Sequence, residues 1–129
     1  MPQFPELFIL RHGQTEWNVL GKYQGQMDSP LTKLGLVQAR SQGKILQAHV
    51  ASRKLQAYAS PLLRAARTAE LALLPLGQHA RLDSRLKEVS FGTREGRTRA
   101  EIAKIDESSR LSKFERYFSD PKGESFSRY

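Results

Sequence analysis

The stretch from Leu7 to Gly13 limits the folds open to this chain more than any other: the short apolar run Phe8-Ile9-Leu10 ends in Arg11-His12-Gly13. An apolar run of that length stopping at a glycine is the pattern of a buried strand feeding a loop. After the glycines Gly21 and Gly25 and the turn Asp28-Ser29-Pro30, Thr32 is placed to cap a helix. Its apolar positions Leu34, Val37, Ile45 and Ala48 repeat near helical spacing and carry it to about His49.

Leu55 to Ala59 alternates weakly and stops at Ser60-Pro61, which reads as a second strand meeting a helix with Ser60 as N-cap and Pro61 at the first helical position. From Leu62 to Leu74, the residues Leu62, Ala66, Ala69 and Leu73 share one helical face. Leu82 to Val89 reads as a third strand, followed by a loop with Gly92 and Gly96 and a helix near Arg99 to Ile105. The charged segment from Asp106 to Pro121 is weakly periodic and reads as helical or mobile. Strands alternating with helices predict an α/β fold, a parallel sheet covered by helices on both sides with its site at the carboxyl ends of the strands.

At 129 residues the chain is one domain's worth, 1–129, and a domain of that size buries roughly two-thirds of its unfolded surface. Hydrophobic residues make up 39% and charged residues 26%, with no apolar run near the ~18 residues of a membrane span. Met1 to Glu6 lacks the pattern of a secretory signal, and the absence of cysteine excludes thiolate chemistry, which together lead us to expect a cytoplasmic protein. The net charge of +8 draws anions, but the basic residues form no run of five or six. A small anionic ligand is therefore expected, with neither nucleic acid nor membrane as partner.

A neutral imidazole can accept a phosphoryl group on nitrogen and pass it on, provided that cations spread over the phosphoryl oxygens and an acid protonates the leaving oxygen. Arg11 beside His12 supplies a bidentate clamp and opposes imidazolium formation. Gly13 lets backbone come close to a ligand, and Asn18 can donate to a phosphate oxygen. Arg64 falls in the first turn of the Ser60-capped helix, where the dipole disfavours a cation unless an anion sits there. A phosphate bound by the free amides of that turn and by Arg64 would remove the conflict.

Arg11-His12-Gly13-Gln14-Thr15-Glu16-Trp17-Asn18, Gly25, Asp28-Ser29-Pro30-Leu31-Thr32 with Gly35, and Ser60-Pro61-Leu62-Leu63-Arg64-Ala65 with Thr68 resemble the histidine phosphatase superfamily, which includes cofactor-dependent phosphoglycerate mutases. The resemblance runs from about residue 7 to 128. It implies a three-layer, mostly parallel phosphoglycerate mutase-like sandwich with His12 as the phosphorylated nucleophile. Arg11, Asn18 and Arg64 would then hold phosphoryl oxygens, and Gln24 and Gly25 would touch substrate. The segment from Leu86 to Gly92 is similar to the one bearing the family's acid, which maps onto Glu88, with Glu95 as the nearby alternative. Neither a metal nor another cofactor is implied.

The family's second histidine, in a His-Gly pair downstream of the acid, has no counterpart: the other histidines are His49, before Val50, and His79, before Ala80. The chain thus reads as the N-terminal portion of such a domain, incomplete at the C-terminus. Impaired turnover and self-association through exposed sheet surface are the corresponding expectations. Three activities fit: hydrolysis of a small phosphate ester through phosphohistidine, mutase-type phosphoryl transfer, or phosphate binding without turnover.

Overall fold

Thr32 does open the long helix. Its hydroxyl accepts from the Gly35 amide, and the helix runs Lys33–Val50 (α2). The computed structural model describes residues 4–107, 115 and 122–123. Their elements are a short helix Glu16–Val19 (α1), α2, a strand Tyr58–Ala59 (β1), a helix Leu63–Leu73 (α3), a strand Arg81–Leu82 (β2) and a helix Arg99–Glu107 (α4). Most of the segment 106–121 lies outside the described residues. Strands β1 and β2 pair in parallel, Tyr58 with Arg81 and Ala59 with Leu82, across the connection that α3 makes. This is the parallel strand–helix–strand arrangement of an α/β fold. Helix α4 is opened by a reciprocal cap: the Thr98 amide donates to Glu101 and the Glu101 amide to the Thr98 hydroxyl. Hydrogen bonds from the Thr98 amide and then its hydroxyl hold the Glu101 carboxyl below the usual glutamate range.

Three expected strands are shorter than the sequence suggests, or missing. Residues 7–10 belong to no ladder among the described residues. Leu7 (78%) and Ile9 (85%) are exposed, and only Phe8 packs on the core of Leu46, Val50 and Leu73. An apolar run becomes a strand only where a neighbour satisfies its amides and carbonyls, and the described segment that lies against this one is helix α2, whose backbone bonds are already used within the helix. The run 82–89 is interrupted because the Asp83 side chain accepts from the Arg85 amide, starting a 3-10 turn at Ser84–Leu86 in place of extended backbone. In 55–59 only the last two residues pair as a strand. The Leu55 amide is instead satisfied by the Gln78 side chain.

Helix α2 buries a different face from the one Leu34, Val37 and Ile45 mark, whereas α3 buries Leu73 of its expected face and half-buries Leu62, Ala66 and Ala69. In α2 the buried stripe is Gly35, Ala39, Gly43, Leu46 and Val50, while Leu34, Val37, Ile45 and Ala48 are exposed. The cause is close approach: a Cβ on Gly43 would lie 2.7 Å from the Ala72 carbonyl oxygen, so α2 and α3 touch backbone to backbone through small residues. In α3 the buried residues are Arg64, Thr68, Leu71, Ala72 and Leu73. Polar Arg64 and Thr68 can be inside because each is hydrogen-bonded there.

The turn after His12 rests on the same principle. A Cβ on Gly13 would overlap the Gly35 carbonyl oxygen, and one on Gly35 would collide with the Gln14 backbone. Two glycines thus bring the loop onto the first turn of α2, with no flexible side chain in between to yield. Gly13→Ala is expected to cost about 2 kcal/mol of folding free energy, the scale of overpacking a tight contact. A urea-unfolding midpoint equal to wild type would contradict this contact.

Candidate active site

His12 stands in this glycine-anchored turn, half-buried, with Nδ1 2.7 Å from the Gly13 carbonyl oxygen. A carbonyl can only accept, so Nδ1 carries the proton. The lone pair of the neutral ring is thereby assigned to Nε2, which has no hydrogen-bond partner among the described residues. The Gly13 amide donates to the Thr68 hydroxyl (3.0 Å), which donates to the Arg64 carbonyl (2.7 Å). One hydroxyl therefore ties the histidine turn to α3. Arg11 is exposed; its carbonyl is anchored by the Gln42 side chain (3.0 Å), and its guanidinium has no ion-pair partner among the described residues.

The turn continues into α1 through a capping box. The Thr15 hydroxyl accepts from the Asn18 amide (3.1 Å), and Asn18 Oδ1 accepts from the Thr15 amide (2.9 Å). With Oδ1 engaged, the free chemistry of Asn18 is its Nδ2 amide. Beneath the cap, Gln24 is buried, its Oε1 accepting from the hydroxyls of Thr15 (3.0 Å) and Ser29 (3.1 Å). Ser29 also accepts from the Trp17 amide (3.0 Å). Gln24 thus braces the loop from within.

Arg64 is 4% exposed, and the anion it meets is internal. Nη1 donates to Asp28 Oδ1 (2.9 Å) and to the Met27 carbonyl (2.8 Å), while Nη2 donates to the Gly25 carbonyl (2.7 Å). Asp28 also accepts from the Leu63 amide (2.5 Å) and the Arg64 amide (3.4 Å). Helix α3 is therefore capped across the fold by Asp28. Ser60 is not its N-cap: that position is Leu62, without a side-chain bond, and Ser60 accepts only from the Leu62 amide (3.3 Å). The charge conflict of an arginine in a first helical turn is resolved, but by a carboxylate of the chain itself.

The two acid candidates differ sharply. Glu88 is exposed, with Oε1 accepting only from the next amide, that of Val89 (2.9 Å). Glu95 Oε1 gathers the amides of Gln26 and Phe91, each at 2.9 Å, and the Ser90 hydroxyl at 3.2 Å. Gly25, at φ +54°, lies so close beneath that carboxylate that any Cβ there would overlap Oε1.

One connected set of hydrogen bonds therefore links His12, Gly13, Thr68, Arg64, Gly25 and Met27; the Met27 amide donates to the Gln24 carbonyl (2.9 Å), Thr15 joins Gln24 to Asn18, and the Glu88 carbonyl accepts from Gln26 Nε2 (3.2 Å). The side chains of Arg11 and Glu88 stand outside it. Sequence reasoning missed Asp28 as cap and counter-ion, Thr68 as the link, and Ser29. The signal for Asp28 was available, since a cation in a first helical turn requires an acid nearby.

The chain matches the family model of the histidine phosphatase superfamily (branch 1) over residues 7–129. It is 35% identical over 119 residues to the sedoheptulose 1,7-bisphosphatase of Saccharomyces cerevisiae, an alignment covering 84% of this chain and 44% of that protein. Among solved structures, a mycobacterial glucosyl-3-phosphoglycerate phosphatase determined with VO3 superposes with a TM-score of 0.68 at 36% identity, covering 78% of this chain and 48% of that one. A phosphoglycerate mutase from Thermus thermophilus gives 0.63 at 37%, covering 92% and 62%. The chain spans less than half the length of the curated relative it matches here. Its α/β fold is phosphoglycerate mutase-like. The imidazole turn, its glycine seat and the α3 contact all fall within the matched segment, and the chain belongs to the histidine phosphatase superfamily (branch 1).

Proposed function

We propose that this chain accepts a phosphoryl group from a small phosphate monoester onto Nε2 of His12 and passes it to water. The observation that carries the reading is the Nδ1 contact to the Gly13 carbonyl, which leaves a neutral nitrogen lone pair on Nε2. In the first step Nε2 attacks phosphorus, the bond from phosphorus to the ester oxygen breaks, and Glu88 gives that oxygen its proton. In the second, water attacks phosphorus, the P–N bond breaks, a water proton returns to Glu88, and inorganic phosphate leaves.

Arg11 and Asn18 Nδ2 hold the equatorial oxygens, and Gln24 and Gly25 form the wall of the substrate loop. Arg64 contributes its remaining donors. A guanidinium has five N–H groups, and three are engaged with Met27, Asp28 and Gly25. No described group of three or more His, Cys, Asp or Glu side chains could hold a metal ion, and the steps above use none. The Glu88 carboxyl is exposed, so water competes for its contact with a leaving oxygen. Slow turnover is the expected consequence.

Transfer to a second hydroxyl is the alternative, supported by the mutase among the structural neighbours. Incubation with nitrophenyl phosphate and, separately, with 2,3-bisphosphoglycerate distinguishes the two. Release of nitrophenolate and inorganic phosphate supports hydrolysis, whereas label moving from bisphosphoglycerate to monophosphoglycerate supports transfer. A chain that binds phosphate but takes no label from either is a binding module, and the proposal fails.

A further inference from the structure

Glu95 holds a position in the site that a role as the acid does not explain. Its Oε1 receives three donors from two separate segments: the Gln26 amide from the loop after Gln24-Gly25, and the Phe91 amide and Ser90 hydroxyl from the loop after Glu88. An oxygen with its lone pairs so engaged serves to hold its three donors in place. The same two segments meet again where Gln26 Nε2 donates to the Glu88 carbonyl (3.2 Å). They meet a third time where the Tyr23 amide donates to the Arg97 carbonyl (2.9 Å) and the Gly96 amide to the Tyr23 carbonyl (2.8 Å). On its other side the Gly25–Asp28 loop is held by Arg64. Gly25 has no side chain because the carboxylate occupies the place of its Cβ.

We infer that Glu95 is a positioning residue, a carboxylate clamp that fixes the distance between the substrate loop at Gln24–Gln26 and the acid-bearing segment at Glu88. The inference rests on the phosphoryl-transfer reading above, with Glu88 as the acid. Its chemical consequence is selective. An ester with a good leaving group, such as nitrophenyl phosphate, departs without a proton, whereas an alkyl phosphate departs only if Glu88 is in place. Loosening the clamp therefore penalises the alkyl ester, and a misplacement near 1 Å costs about 10²-fold.

The test compares wild type, Glu95→Ala and Glu95→Gln. Formation of phosphohistidine from glycerol phosphate and from nitrophenyl phosphate is followed beside hydrogen exchange at the Gln26 and Phe91 amides. Glu95→Ala is expected to lose about 10²-fold with glycerol phosphate and less than about threefold with nitrophenyl phosphate. Glu95→Gln, which keeps an acceptor oxygen, should recover much of the difference. Both amides should exchange faster in Glu95→Ala while those of α2 remain protected. Equal losses with both esters, or unchanged exchange at the two amides, would overturn the clamp. If wild type takes no label from either ester, the function proposed above fails and the exchange measurement alone decides whether Glu95 joins the loops.

Discussion

Replacing His12 by glutamine is expected to abolish the acid-labile phosphate label entirely while leaving phosphate binding within about a factor of ten of wild type, since a single neutral contact is worth about 1 kcal/mol. Glutamine is similar in reach but has no nucleophilic lone pair on nitrogen, so it cannot form the P–N bond on which the proposed reaction depends. The guanidinium of Arg11 and the amide of Asn18 remain in place to hold an anion. Labelling with a radioactive ester, quenching in acid and in base, and calorimetry with inorganic phosphate separate the two quantities. Label retained in His12→Gln would place the nucleophile elsewhere, and neither His49 nor His79 lies in the hydrogen-bonded set around Gly13.

The second large effect is on stability. Asp28→Ala removes at once the ion-pair partner of an arginine that is 4% exposed and the acceptor of two α3 amides. Truncating one partner of a buried pair typically costs about 3–5 kcal/mol, and losing a cap about 1. Asp28 retains 23% exposure, so water can partly solvate what remains. A net loss of about 3 kcal/mol is expected in urea unfolding, and the Asp28→Ala, Arg64→Met double variant should recover part of it, because the stranded charge is gone. A loss below about 1 kcal/mol would mean that Arg64 finds other partners and that α3 does not depend on this carboxylate.

Local chemistry is readable in the letters; close approach is not. Thr32 and the stretch near Arg99 announce helices that the structure has, because a cap and a helical period are short-range signals. The run at 7–10 has the pattern of a buried strand and is not one, since apolar content says that a segment seeks cover but not whether a neighbour provides it. The buried face of α2 differs from the expected one for a related reason. Leu34, Val37 and Ile45 outweigh glycine and alanine on any hydrophobicity scale, yet the contact belongs to Gly35, Ala39 and Gly43, where backbone meets backbone. The candidate site residues His12, Asn18, Gln24 and Arg64 are proposed from residue type and order. The partners that fix them, Asp28, Thr68 and Glu95, act through bonds spanning 36, 55 and 69 positions; the cation in the first helical turn calls for an acid such as Asp28, but no local pattern reveals Thr68 or Glu95.

The outward side of α2 offers a practical opening. Because that helix meets α3 through its smallest residues, its bulky aliphatic positions at Leu34 and Val37 carry no weight in that contact and can be rewritten freely. Glutamate or lysine there should improve handling at high concentration, and a cysteine introduced at either point would be the sole thiol of the protein, a ready attachment point for a spectroscopic reporter beside the imidazole turn.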